Sequence, residues 1–299
     1  MNFNDYTLPD LTNKTIVITG ANSGIGLYCA KQFCKQGAQV VIACRNKQRS
    51  DKAIEDIKNE MPNAKCQFIE LDLMSFKSIK DFVKSVEQLY PTVDILINNA
   101  GVIFQSSKNI SSDGFDSHIA TNCLGHFLLA NKMLKLLKNS EDAKIITAVS
   151  MAEKQGCFKV SKFAEAGNLS WTNYAYSKIA ALMNSYQFND KLKQAGITNV
   201  KSIACHPGLT ASNSPQMSAF NKVLINFIGM PLAKGTIPMQ MASTDDNLKG
   251  GEYIGFDGFL SLHGNVTFNK SSKVTYDKKL QEELWNKCEK LTDCKFNQD

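Results

Sequence analysis

The chain has 299 residues, 43% of them hydrophobic, and its 34 basic and 28 acidic residues give a formal charge of +6. This length and apolar content support a sizeable core and exclude disorder of the whole chain. The lysines are scattered through helical stretches and not gathered in a block, which argues against a nucleic-acid surface, and nine cysteines without a C-x-x-C pair or a His/Cys cluster predict reduced thiols in a cytoplasmic protein, with no metal site and no disulfide framework.

The opening "MNFNDYTLPDLTNKTIVITG" lacks the basic segment and apolar run of a signal peptide, and no stretch reaches the ~18 apolar residues of a membrane-spanning helix. A soluble protein with no transmembrane segment is expected. "TIVIT" reads as the first strand and runs into "TGANSGIG", Thr19 to Gly26, followed at once by the helical pattern "GLYCAKQFCKQG". A glycine-rich turn between strand and helix lets the backbone approach a pyrophosphate, whose charge is favoured by the free N–H groups at the helix start. Gly20, Asn22, Ser23, Gly24, Ile25 and Gly26 are therefore candidate phosphate-binding residues.

The second strand, "QVVIAC", leads into "RNKQRS". An acidic side chain at this point commonly accepts the ribose hydroxyls of NAD, whereas a basic one suits the 2′-phosphate of NADP. No Asp or Glu occurs between Leu11 and Ser50, and Arg45 sits just past the strand. A guanidinium fork can pair a phosphate bidentately, so NADP(H) is preferred over NAD(H), with Arg45 as the contact and Lys47 and Arg49 as solvated charges at a helix start. The third strand, "CQFIEL", ends near Asp72 and Leu73, where Asp72 suits either a turn or helix-cap role or an adenine contact. "DILIN" is the fourth strand and closes on "NNAG", which puts Asn99, Ala100 and Gly101 at a strand's carboxyl end, where open α/β sheets bind ligands. "KIITAVS" and "VKSIAC" read as the fifth and sixth strands. Strands alternating with helical patterns predict a doubly wound α/β fold, mainly parallel, with helices on both faces, and the absence of a Gly/Ser/Pro linker predicts one domain over 1–299. Near the end, Leu280, Leu284, Cys288 and Leu291 form the apolar stripe of an amphipathic helix, about 276–291, that docks on this domain. The apolar run "VLINFIGMPLA", Val223 to Ala233, is too short to span a bilayer and suits core or a lid over a pocket.

"WTNYAYSKIAALM" carries two tyrosines ahead of Lys178. On a helix, a residue four positions earlier shares the lysine's face and one two positions earlier does not. That selects Tyr174 over Tyr176, which suits packing or a substrate wall. His118, His126, His206 and His263 form no metal constellation and read as structural.

Taken together, "TGANSGIG", "DL" after the third strand, "NNAG", "TNCLGHF", a serine after the fifth strand, "YAYSK" and "HPG" resemble, in order and over nearly the whole chain, the short-chain dehydrogenase/reductase superfamily. "VIACRN" and "ATNCLGHFLL" resemble the branch of retinol dehydrogenases and protochlorophyllide reductase. The resemblance implies a single Rossmann-like domain with a seven-stranded, mainly parallel sheet. It also implies a catalytic tetrad of Asn122, Ser150, Tyr174 and Lys178: Tyr174 as acid/base, Lys178 lowering its pKa and holding the nicotinamide ribose, Ser150 bonding the substrate oxygen, and Asn122 anchoring a relay water. In "CHPGLTASN", Pro207 and Gly208 turn beside the nicotinamide, and either Thr210 or Ser212 supplies the carboxamide hydroxyl. Val149 and Glu153 stand where relatives often carry a serine and a histidine, a departure that puts a strict retinol-type site in doubt.

The expected activity is interconversion of a carbonyl and an alcohol by hydride transfer. The stretches Met151 to Asn173 and Ala211 to Lys234 are expected to wall the substrate pocket; Phe158, Phe163, Trp171, Met217, Phe220, Phe227 and Met230 suggest a lipophilic substrate such as a retinoid, steroid or aliphatic aldehyde. The alternative is a silent NADP(H)-binding sensor or scaffold, which would have no need of Tyr174, Lys178 and Ser150 together. A homodimer is possible on the family pattern, with a small molecule as the main partner and no nucleic acid.

Overall fold

A computed structural model describes residues 6–103, 109–155, 158–165, 170–210 and 229–297. The eight strands are β1 (Thr15–Thr19), β2 (Gln39–Cys44), β3 (Cys66–Glu70), β4 (Ile95–Asn98), β5 (Ala143–Ala148), β6 (Val200–Cys205), β7 (Tyr253–Phe256) and β8 (Val266–Phe268). They form one sheet in the order β3-β2-β1-β4-β5-β6-β7-β8. All neighbours are parallel except β7 and β8, which pair antiparallel. The first six strands fall where the apolar runs predict. The expected count of seven is corrected to eight, because β8 is the three-residue "VTF", too short to carry a periodicity that a sequence reading can use.

The helices are α1 (Gly24–Lys35), α2 (Lys47–Glu60), α3 (Phe76–Leu89), α4 (Gly125–Lys138), α5 (Ser170–Gln194), α6 (Ile237–Thr244) and α7 (Lys278–Thr292). Side chains alternate across the strands. Val17, Val41, Leu96 and Ile145 pack with α3, α4, α5 and α7 on one face, while Ile16, Ile18, Ile42, Ile97 and Ile146 pack with α1, α2 and α6 on the other. Two apolar layers around a parallel sheet explain why its strands are apolar on both faces.

Starts of helices are set locally. Asn46 Oδ1 accepts from the Arg49 N–H at 2.9 Å, and the Ser75 hydroxyl accepts from the Ser78 N–H at 3.2 Å. α7 begins at the Asp277 cap and buries Leu284, Trp285 and Cys288, so the predicted stripe docks. Trp285 meets Phe127 of α4 and Phe188 of α5 edge-on at 4.7 and 5.5 Å, which fastens the two central helices under it. Among the described residues no helix is long and apolar enough to cross a membrane.

β1 has β2 on one side and β4 on the other, so the strand order reverses there. Connections leaving the carboxyl ends of β1 and β4 diverge to opposite faces and open a crevice between them, the place where such sheets bind ligands.

Candidate functional site

A cleft of about 380 Å³ occupies that crevice and runs along the carboxyl ends of β1, β2, β4, β5 and β6. Every predicted cofactor-binding residue among the described residues lines it: Gly20, Asn22, Ser23, Gly24, Ile25, Gly26, Arg45, Asp72, Leu73, Asn99, Ala100, Gly101, Tyr174, Lys178, Pro207, Gly208 and Thr210. Ser212, Met217, Phe220 and Phe227 lie outside the described residues, as does most of Val223 to Ala233.

At one end the chain leaves β1 through Gly20, whose φ of +68° suits glycine, and enters α1 at Gly24. Ser23 precedes α1 in an extended conformation and its side chain does not cap it, so the first-turn N–H groups are left free for a ligand. A Cβ on Gly26 would sit 2.5 Å from Asn99 Nδ2 and 2.8 Å from the Gly20 oxygen, so the turn is pressed against the segment after β4. Thr19 joins the two. Its hydroxyl oxygen accepts from the N–H groups of Asn99 and Ala100, both at 2.9 Å, and the Asn99 amide donates to the Thr19 carbonyl at 2.7 Å. The sequence reading assigned Thr19 no such role. A hydroxyl at the last position of β1, facing the start of "NAG", was the available signal.

Arg45 and Arg49 both stand in this part of the cleft, and neither guanidinium has an acidic partner among the described residues. Lys47 is instead paired with Asp51 at 2.7 Å on the surface. The reading of Lys47 as a solvated charge holds, and Arg49 is likewise exposed near the start of α2, where it also borders the cleft. Asp72 Oδ1 accepts from the Met74 N–H at 3.0 Å while the carboxylate borders the cleft, so the turn role is present and the adenine side is still open to it.

At the other end, Ser150 follows β5 and Tyr174 and Lys178 project from α5, one turn apart. Tyr174 is 4% exposed. Burial pushes its phenol above the ordinary value of 10, against a hydrogen bond with the Ser150 side chain that lowers it. Lys178 is fully enclosed, and burial pulls its ammonium down to about 8, with the nearby Cys205 and Cys123 thiols opposing. Its Nζ donates to the Ala148 carbonyl at 3.1 Å and would lie 3.5 Å from a Cβ on Gly101. Burial is the larger influence on the phenol, and the one opposing it comes from Ser150.

Asn122 lies in a π-helical turn, Ala120–Leu124, between the short turn Ser117–Ile119 and α4. Such turns recur at functional sites. Its amide clamps Val102: Oδ1 accepts from the Val102 N–H at 2.9 Å, and Nδ2 donates to the Val102 oxygen and to Ser177 Oγ, both at 3.0 Å. The side chain is thus committed behind the wall formed by Gly101, Val102 and Ile103, outside the cleft, and a relay water would have to use its backbone.

Of the two roles open to Tyr176, packing is the one present: it is buried and meets Phe158 edge-on at 5.1 Å. Other expectations are corrected. Phe158 and Phe163 belong to the same core, and Met230 is buried with the α1 and α6 layer, so these three are not pocket wall. Each follows a strand in sequence but turns inward, where a large apolar side chain gains most. Trp171 remains a rim residue, half-exposed, with its ring 5.4 Å from that of Tyr174. His206, read as structural, lines the cleft; among the described residues neither ring nitrogen has a partner in good hydrogen-bond geometry, and burial, opposed by the nearby Val149 backbone, lowers its pKa to about 4, so it is neutral. Thr210 also lines the cleft, but its hydroxyl donates to the Pro207 carbonyl and closes the turn at Gly208.

Comparison with known proteins agrees with this geometry. Residues 14–221 match the family described as short chain dehydrogenase. A chain named short-chain dehydrogenase TIC 32 B, chloroplastic, from Brassica napus is 32% identical over 95% of this chain and 90% of its own length. Retinol dehydrogenase 11 of Homo sapiens is 34% identical over 70% of this chain and 65% of its own. Among solved structures, an uncharacterized protein from Mycobacterium paratuberculosis superposes with a TM-score of 0.81 at 27% identity, covering 100% of this chain and 99% of that one.

Proposed function

The chain belongs to the short chain dehydrogenase family, an oxidoreductase acting on alcohol or carbonyl groups, and from that premise we propose that it reduces a carbonyl at the expense of NADPH, with Tyr174 as the proton donor. The observation that carries the reading is the convergence of Ser150, Tyr174 and Lys178 on a cleft whose far end is a glycine turn opening onto free helix N–H groups.

The residues present fit a dinucleotide. Side chains at Gly20 or Gly26 would push the turn off Asn99 and Ala100 and distort it, and the uncapped start of α1 suits a pyrophosphate. Arg45 and Arg49, with no competing carboxylate, suit a 2′-phosphate. Asp72 and Leu73 would border the adenine, Asn99 to Gly101 the neighbouring ribose, and Pro207 to Thr210 the nicotinamide end. When bound, NADPH supplies the hydride.

The protein's own part is to hold and move a proton. Burial keeps the Tyr174 phenol protonated, which suits an acid that must deliver its proton as charge builds on the substrate oxygen. Ser150, whose side chain faces that phenol closely enough to lower its pKa, orients the same oxygen. At neutral pH Lys178 is charged, and its buried ammonium favours the phenolate left behind. The substrate is a lipophilic carbonyl, since Val102, Ile103, Val149 and Leu209 flank the reacting end and Trp171 stands at its rim.

The test is NADPH oxidation, followed by absorbance, against aldehydes, ketones and quinones, with NADH and Tyr174→Phe alongside. Turnover should prefer NADPH and fall about 10²–10⁴-fold in Tyr174→Phe, while NADPH binding stays within about twofold. Full activity of Tyr174→Phe would remove the mechanism, and turnover confined to small polar carbonyls would remove the lipophilic substrate.

A further inference from the structure

His118 sits beside Tyr174 and has no part in the mechanism above. It is 1% exposed, and both ring nitrogens are committed. Nδ1 lies 2.9 Å from Asp116 Oδ1, and Nε2 lies 3.1 Å from the Ile103 carbonyl oxygen. Burial pushes the Asp116 carboxyl up, but the hydrogen bonds from His118 and from the Asn173 side chain outweigh it and leave the group below its ordinary value. Both partners of the ring, a carboxylate and a carbonyl oxygen, are acceptors, and together they fix its orientation.

These contacts join three parts of the active site. Ile103 belongs to the cleft wall that passes over Lys178. Asn173 is the residue before Tyr174 on α5. The imidazole itself meets the Tyr174 ring edge-on, with centroids 6.0 Å apart. Asn122 clamps the wall only at Val102, and Ile103 is 43% exposed, so His118 is the buried side chain that fixes the wall's outer residue.

We propose that His118, oriented by Asp116, is a positioning residue: it latches the Gly101 to Ile103 wall to the start of α5 and so sets the Tyr174 phenol against the place where the carbonyl must sit. This rests on the carbonyl-reductase reading. Small misplacements of reacting groups are costly in rate even when binding is unchanged, so the latch should act on kcat.

His118→Phe keeps an aromatic ring against Tyr174 and removes both ring nitrogens. Its kcat should fall at least about tenfold, while the NADPH dissociation constant, measured by nicotinamide fluorescence, stays within about twofold. Asp116→Asn keeps an oxygen acceptor without the charge and should lose less, about threefold. Leu284→Ala, in the core under α7, controls for general destabilisation and should keep its kcat at an equal loss of melting temperature. A wild-type kcat in His118→Phe, or a loss shared by Leu284→Ala, overturns the proposal; should His118→Phe fail to fold, Asp116→Asn carries the same comparison. Ring ¹⁵N NMR of the cofactor-free protein is independent of turnover. Hydrogen-bond shifts at both ring nitrogens of His118, with that of Nδ1 altered in Asp116→Asn, support the latch, and a ring free of hydrogen bonds overturns it, whereas absence of turnover by wild type with every carbonyl would remove the carbonyl-reductase reading instead.

Discussion

At its α1 end the cleft is built on backbone N–H groups, on closely packed glycines, and on the guanidinium groups of Arg45 and Arg49 near the surface. At the α5 end it rests on buried ionisable side chains whose pKa values are displaced by desolvation, Tyr174 upward and Lys178 and His206 downward. The first end is a mould, whose function depends on what is absent. The second is a set of charges held where water cannot screen them, and it depends on what is present. Substitutions should therefore divide by kind, with binding lost at one end and rate at the other.

The strongest attempt to break this division is Lys178→Met, which removes the buried charge. It should lower kcat by about 10²–10³-fold and leave NADPH affinity much less affected; equal losses in both would mean that the two ends are not separable. Gly26→Val tests the mould. Its Cβ would meet Asn99 Nδ2 at 2.5 Å and backbone at 2.8 Å, an overpacking cost of about 1–3 kcal/mol, so NADPH binding should weaken by one to two orders of magnitude and the melting temperature should drop. Arg45→Ala should raise KM for NADPH about tenfold and leave KM for NADH unchanged, a contrast that steady-state kinetics can read directly.

Two pH profiles sharpen the picture further. Lys178 is charged below about 8 and neutral above it, so kcat/KM for reduction should decline as pH rises through about 8, and Lys178→Arg should move that decline to higher pH. The smallest effect is expected at Glu153. Burial raises its carboxyl pKa above the ordinary 4.5, although Ser272 donates to it through N–H at 3.0 Å and hydroxyl at 2.7 Å. A raised carboxyl binds its proton more tightly in the folded state, so the stability it contributes is present below about 4.5 and is lost as pH rises through the higher folded value. Melting temperature against pH should slope less steeply in Glu153→Gln.

Much of this architecture was legible in the residues. Six strands announced themselves as apolar runs, and "TGANSGIG" and "YAYSK" carried spacing that only one local geometry satisfies. What escaped depended on partners far away in the chain. β7 is four residues long and β8 three, and each is a strand only because a neighbour pairs with it. Phe158 and Phe163 read as pocket wall because they follow β5, yet they are enclosed by the core around Tyr176. His206 read as structural because an isolated histidine carries no pattern; its position at the cleft depends on the end of β6, which no periodicity reveals. That Arg49 also borders the cleft could not be read, since its place depends on where α2 starts.

The π-helical turn at Ala120–Leu124 bears on how this site tolerates change over generations. The Gly125 N–H reaches back to the Ala120 oxygen, one residue more than an α-helical bond spans. Losing any one residue from that turn would restore a regular helix and rotate everything on one side of it by about 100° relative to the other. Asn122 would swing off Val102, although composition and hydrophobicity would hardly register the event. A single-codon deletion here should therefore be far more damaging than most substitutions at the same positions, and a deletion scan across 117–127 would show the active site as a sharp notch in reading-length tolerance.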